Sequence, residues 1–145
     1  VDLIFLPAET TPLLYEAIYA LGECAVQAGV CLALGTPLET LAPVVPMVDA
    51  VLLLGRVTGE GKRGRDFNDL VLRRVAAARA MIDAEVEASG GEHRVDLQAA
   101  GGLETASCVE VCRQGATSLP LGSALHREAD LGAYVTRLRG LLAEV

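Results

Sequence analysis

The chain has 145 residues, 52% hydrophobic and 21% charged, which is enough to bury one core and too apolar for disorder, so one domain is the natural count. Its formal net charge of −7 opposes wide contact with nucleic acid or an anionic membrane, because a phosphate backbone selects for concentrated positive charge, while a small anionic ligand stays open. Apolar runs such as Val51 to Leu54 are far too short to span a bilayer, and no basic segment followed by a cleavage site opens the sequence, so the expectation is a cytoplasmic protein with neither nucleic acid nor membrane as partner.

Val1 to Leu6 is a short apolar run suited to a buried parallel strand. Thr11-Pro12 then supplies an N-cap and a first-turn proline. Leu14, Ile18, Leu21 and Ala25 recur at helical spacing, with Gly29 closing the pattern. Val30 to Leu34 reads as the second strand, Pro37 to Leu41 as a short helix, and Val48 to Leu54 as the third strand. After a Gly-rich loop from Gly55 to Arg65, Asp66 caps a long helix whose Phe67, Val71, Val75, Ala78 and Ile82 share a face until Gly90-Gly91 break it.

Val95 to Ala99 reads as the fourth strand and Glu104 to Gln114 as a helix closed by Gly115. Thr117 to Leu121 reads as the fifth strand, and Leu131, Val135, Leu138 and Leu142 line a last helix from Leu131 to Leu142. Apolar strands alternating with one-sided helices predict an α/β fold with a parallel sheet, in five βα units. The pattern leaves a closed barrel and a doubly wound sheet both open. A complete eight-unit barrel takes about 200 residues or more, so the chain reads as part of something larger.

In either architecture ligands collect at the carboxyl ends of the strands. After the third strand, the Gly55 to Arg65 loop combines exposed amides with Arg56, Lys62, Arg63 and Arg65, and Gly59, Gly61 and Lys62 are candidate phosphate contacts. It is not a P-loop, because Gly55 to Gly61 has the wrong spacing and Arg63 follows Lys62. Gly101-Gly102 follows the fourth strand directly before a helix, and Gly122-Ser123 follows the fifth. Helix N-termini present unpaired N–H groups, and glycine lets a phosphate approach them, so Gly101, Gly102, Gly122 and Ser123 are further phosphate candidates.

Cys24, Cys31, Cys108 and Cys112 form no Cys-x-x-Cys pair and have no His cluster nearby, so all four read as small core hydrophobes. His93 precedes a strand at the end opposite the mouths and reads as solvent-exposed. His126 follows the Gly-Ser turn and reads as packed, with proximity to a phosphate as the other reading.

Five segments stand in order: Val1 to Glu9, Ala28 to Glu39, Val48 to Leu54, Ala99 to Leu103, and Leu121 to Leu125. They resemble the segments ADLITVHAE, AGVVLNPATPLE, VDLVLLM, VDGGI and AGSAI of the ribulose-phosphate 3-epimerases. The resemblance covers essentially the whole chain. It implies a partial (β/α) barrel of TIM type, residues 1–145 as one domain holding strands four to eight, with three N-terminal units absent. It also implies a sugar-phosphate ligand, a homo-oligomer when full length, and phosphate binding by the flap, Gly101, Gly102, Gly122 and Ser123.

In the family, carbon 3 of a ketopentose phosphate is epimerised by two aspartates around a divalent metal (Zn, Fe or Mn) held by two His and two Asp. The resemblance puts one such His at Pro7 and one such Asp at Ala100, so no metal ligand is expected here, and Ala33-Leu34 takes the place of the family's Asn-Pro. Strand parity puts Asp96 and Gln98 on the face of position 100, either as a buried polar network or as catalytic groups. Glu9 and Arg56 share that inward parity at their strand mouths and are candidates for substrate contact. Three functions follow: an epimerase-like isomerase, a non-catalytic sugar-phosphate-binding relative, and a phosphosugar lyase or decarboxylase of the related barrels.

Overall fold

The computed structural model describes residues 1–57 and 67–145. The expectations for Gly59, Gly61 and Lys62, and for Asp66 as a helix cap, lie outside the described residues. The elements are β1 (Leu3–Pro7), α1 (Leu14–Glu23), β2 (Gln27–Leu32), two 3₁₀ turns (Leu38–Leu41 and Val45–Met47), β3 (Ala50–Leu54), α2 (Leu70–Ala88), β4 (Asp96–Ala100), α3 (Thr105–Arg113), α4 (Ser123–His126) and α5 (Leu131–Leu142).

The strands pair in parallel in the order β1-β2-β3-β4. A doubly wound sheet reverses its strand order at a switch point, whereas a barrel adds each new strand on the same side. The observed order is that of a partial (β/α) barrel.

Register sorts the side chains onto two faces. Ala28, Val30 and Leu32 of β2, Val51 and Leu53 of β3, and Leu97 and Ala99 of β4 are buried beneath the helices. There they meet Ile18 of α1, Val71, Val75, Ala78 and Ile82 of α2, and Cys108 and Val111 of α3 in one core. Apolar burial on that face is the main stabilising term. The opposite face, which points inward in a closed barrel, carries Leu3 and Phe5, Leu52 and Leu54, and Asp96, Gln98 and Ala100, all half-buried.

Several elements differ from the sequence reading. The first helix ends at Glu23 and not at Gly29, because Ala25 takes a left-handed φ of 54° and the amides of Ala25 and Val26 return to the carbonyls of Gly22 and Leu21. Gly29 lies inside β2, which starts at Gln27, and it pairs with Phe5. A Cβ at Gly29 would fall 2.5 Å from Phe5 Cδ1, so the glycine makes room for the ring. The expected fifth strand is reduced to a single parallel bridge, Gln98 with Ser118. Pro120 within that segment has no N–H to continue a ladder.

Among the cysteines, Cys31 and Cys108 are buried, and burial pushes both thiols up to about 11. Cys24, expected in the core, is exposed. His93, expected in solvent, is half-buried with Nε2 at 3.0 Å from the Val45 carbonyl oxygen, bridging the start of β4 to the second 3₁₀ turn. His126, expected to pack, is exposed at the end of α4. Among the described residues no helix is long and apolar enough to cross a membrane.

Forcing a methyl group under the Phe5 ring is overpacking, which costs about 1–3 kcal/mol. Gly29→Ala is therefore expected to lower stability by that amount in urea denaturation, and the same substitution in a Phe5→Ala background to cost clearly less. An equal cost in both backgrounds would contradict the packing account.

Candidate functional site

The carboxyl ends of β3 and β4 are drawn together by the Gly55 amide, which donates to the Ala100 carbonyl at 2.6 Å. Space is tight there: a Cβ at Gly55 would stand 3.2 Å from the Gly101 carbonyl oxygen and 3.2 Å from the Phe67 ring. The chain leaves β4 through Gly101 and Gly102, with φ of 97° and 72°, left-handed values that favour glycine. That reversal delivers the backbone to the start of α3, where Glu104 and Ser107 form a reciprocal capping box.

The Glu104 carboxylate also accepts from the Arg127 guanidinium, just past α4. Both side chains are largely exposed, so the pair stabilises the fold little. Its effect is positional, since it ties the start of α3 to the end of α4.

The result is one pocket of about 260 Å³ lined by Arg56, Gly101, Gly102, Leu103, Pro120, Leu121, Gly122 and Ser123. The two glycine turns, both nominated from the sequence as phosphate contacts, face the same cavity. Among the described residues, the amides of Gly102 and Ser123 donate to no protein acceptor. Arg56, a cationic residue, also lines the pocket. Unpaired amides with a guanidinium suit an anion with several acceptor oxygens.

Glu9, Asp96 and Gln98 do not line this pocket. Glu9 Oε1 accepts from the Ala33 amide at 2.9 Å and from the Thr36 hydroxyl, while Arg74 Nη2 donates to the Ala33 carbonyl at 3.2 Å. Partial burial opposes the Glu9 charge, but the Thr36 hydroxyl, the amides of Ala33 and of Glu9 itself, and the Arg74 guanidinium outweigh it, so the Glu9 pKa falls below the ordinary value. The carboxylate is engaged in holding the loop that leaves β2.

Asp96 is engaged in a similar way: Gln98 Nε2 donates to its Oδ2 at 2.6 Å, and the hydroxyls of Thr117 and Ser118 donate to its Oδ1. This network lies at the start of β4, away from the mouth. Sequence reasoning missed Arg74, whose signal is a cation between Val71 and Ala78 on the apolar stripe of α2, where burial demands partners. Leu103, Pro120 and Leu121 were missed as walls, although each adjoins a nominated glycine turn or closes the expected strand.

The model of the ribulose-phosphate 3 epimerase family matches residues 1–126. The chain belongs to that family. Ribulose-phosphate 3-epimerase of Bacillus subtilis is 29% identical over 139 residues, covering 96% of this chain and 61% of that protein. Ribulose-phosphate 3-epimerase 2 of Cupriavidus necator is 37% identical over 117 residues, covering 80% of this chain and 45% of that protein. The chain therefore spans roughly half to three-fifths of the length of these relatives. The crystal structure of 3-hexulose-6-phosphate synthase from Salmonella typhimurium superposes with a TM-score of 0.62 at 18% identity, over 99% of this chain and 63% of that one, a likeness of fold.

The divalent metal of the epimerases does not fit the residues present. Pro7 and Ala100, at the mouths of β1 and β4, carry no donor atoms in their side chains. Among the described residues no three His, Cys, Asp or Glu side chains gather in a metal-binding group, and the carboxylates of Glu9 and Asp96 are held by hydrogen bonds elsewhere.

Because the folded-state pKa of Glu9 is depressed, its contribution to stability is complete above the unfolded-state value and lost as pH falls through the lowered folded value. Urea denaturation over an acidic pH series is expected to show this loss in the native protein and a smaller one in Glu9→Gln. Superimposable pH profiles would rule out the Glu9 anchor.

Proposed function

We propose that the chain contributes the phosphate-binding side of a sugar-phosphate isomerase of the epimerase type. Its ligand is a ketopentose phosphate whose phosphate sits between Gly101-Gly102 and Gly122-Ser123. The observation that carries this reading is the convergence of both turns and Arg56 on one cavity of about 260 Å³. Family membership and the names of the relatives support it. In this reading the chain forms five units of an eight-unit barrel, and groups that move the proton at carbon 3 come from strands outside it.

The chemistry of the site divides accordingly. Preorganised amides and a cation bind the non-reacting end of the substrate, and such remote binding orients the reacting carbons. Glu9, Asp96 and Gln98, turned to hydrogen bonds within the fold, stabilise the frame of the site. A second reading is a sugar-phosphate-binding relative without epimerase activity. The donor-free side chains of Pro7 and Ala100 favour it, since proton abstraction beside a carbonyl requires stabilisation of the enediolate.

Thermal denaturation with ribulose 5-phosphate and with inorganic phosphate is the test. Each is expected to raise the melting temperature, with about 2.7 kcal/mol of stabilisation at a concentration 100 times Kd. Ser123→Asp, which puts a carboxylate on the cavity wall, is expected to abolish the shift by charge repulsion. No stabilisation by either compound would remove the sugar-phosphate reading.

A further inference from the structure

A seated phosphate monoester carries close to two negative charges, and backbone amides offset them only with partial charges. In an epimerase-type site a divalent ion adds positive charge nearby, and the strand mouths here lack side-chain donors for one at Pro7 and Ala100. A cationic side chain at the pocket adds a full charge to what the amides supply.

Among the described residues lining the cavity, Arg56 is the one with a charged side chain. Its backbone is fixed, because the preceding Gly55 amide is bonded to the Ala100 carbonyl at 2.6 Å. Its aliphatic stem crosses from the mouth of β3 over the turn after β4. A Cβ at Gly101 would fall 2.8 Å from Arg56 Cγ and 3.3 Å from Cδ. Glycine at position 101 thus serves two purposes: it takes the left-handed turn and leaves a lane for the arginine. Among the described residues Arg56 forms no ion pair with a carboxylate.

We infer that Arg56 is a charge-bearing ligand of this pocket and that phosphate monoesters bind here without a divalent cation. The inference rests on the reading of the pocket as a phosphate seat. Binding strengthens as pH rises through the second phosphate ionisation near about 6, which adds negative charge to the ligand, and weakens with added salt as an exposed ionic contact does.

Isothermal titration of the full protein with inorganic phosphate, in EDTA and again with Mn²⁺, tests it. The affinity is expected to be the same in both buffers. Arg56→Met is expected to weaken binding about tenfold or more, the effect of losing a charge-assisted hydrogen bond, and Arg56→Lys to restore part of it. The unliganded melting temperature of both variants is expected to match the native one, separating lost binding from lost folding. Affinity that vanishes in EDTA and returns with Mn²⁺, or native affinity in Arg56→Met, would overturn the inference while leaving the phosphate seat in place. A native protein that binds no phosphate in either buffer removes the seat and the inference together.

Discussion

The close approach of β3 and β4 at their carboxyl ends governs everything built above them. Parallel pairing runs from Ala50 with Asp96 to Leu54 with Ala100, and the Gly55 amide extends the ladder one step further onto the Ala100 carbonyl. That last hydrogen bond brings two glycines within van der Waals reach, so Arg56 lies across Gly101. A Cβ at Gly55 would crowd the Gly101 carbonyl and the Phe67 ring, and one at Gly101 would collide with the Arg56 stem. The geometry of the pocket thus follows from strand register and from the absence of two Cβ atoms, more than from any polar contact within the pocket.

Polar groups elsewhere on the inward face hold the frame. Asp96 gathers Gln98, Thr117 and Ser118, fixing the segment that runs on to Pro120 and Leu121 even though that segment forms only one bridge with β4. At the other edge, Glu9 and Arg74 grip the backbone of Ala33 from two sides. Each carboxylate accepts from neutral donors of the fold. The hydrogen bonds that order them also keep them out of the cavity.

The chain shares its family's order of segments while differing in the chemistry available at the mouths. Backbone amides survive substitution as long as the turn keeps its glycines, so an amide-lined cavity depends on the turns and not on side-chain identity. A metal site is less forgiving, because it depends on the identity of each donor side chain. Pro7 and Ala100 bring no side-chain donor atoms to the mouths of β1 and β4.

Sequence alone determined the alternation of strands and helices, the apolar stripe of α2 through Val71, Val75, Ala78 and Ile82, the two glycine turns, and the family. These are local or periodic signals, carried by residues close together in the chain. It misjudged Gly29, whose neighbour Phe5 lies 24 positions away in sequence and beside it in the sheet, and it turned a proline-bearing segment into a full strand. The tertiary structure alone decided that Gly101-Gly102 and Gly122-Ser123 share one cavity with Arg56, and that Glu9 and Asp96 do not reach it. Convergence depends on strand register and on hydrogen bonds between distant segments, and neither leaves a periodic mark in the order of residues.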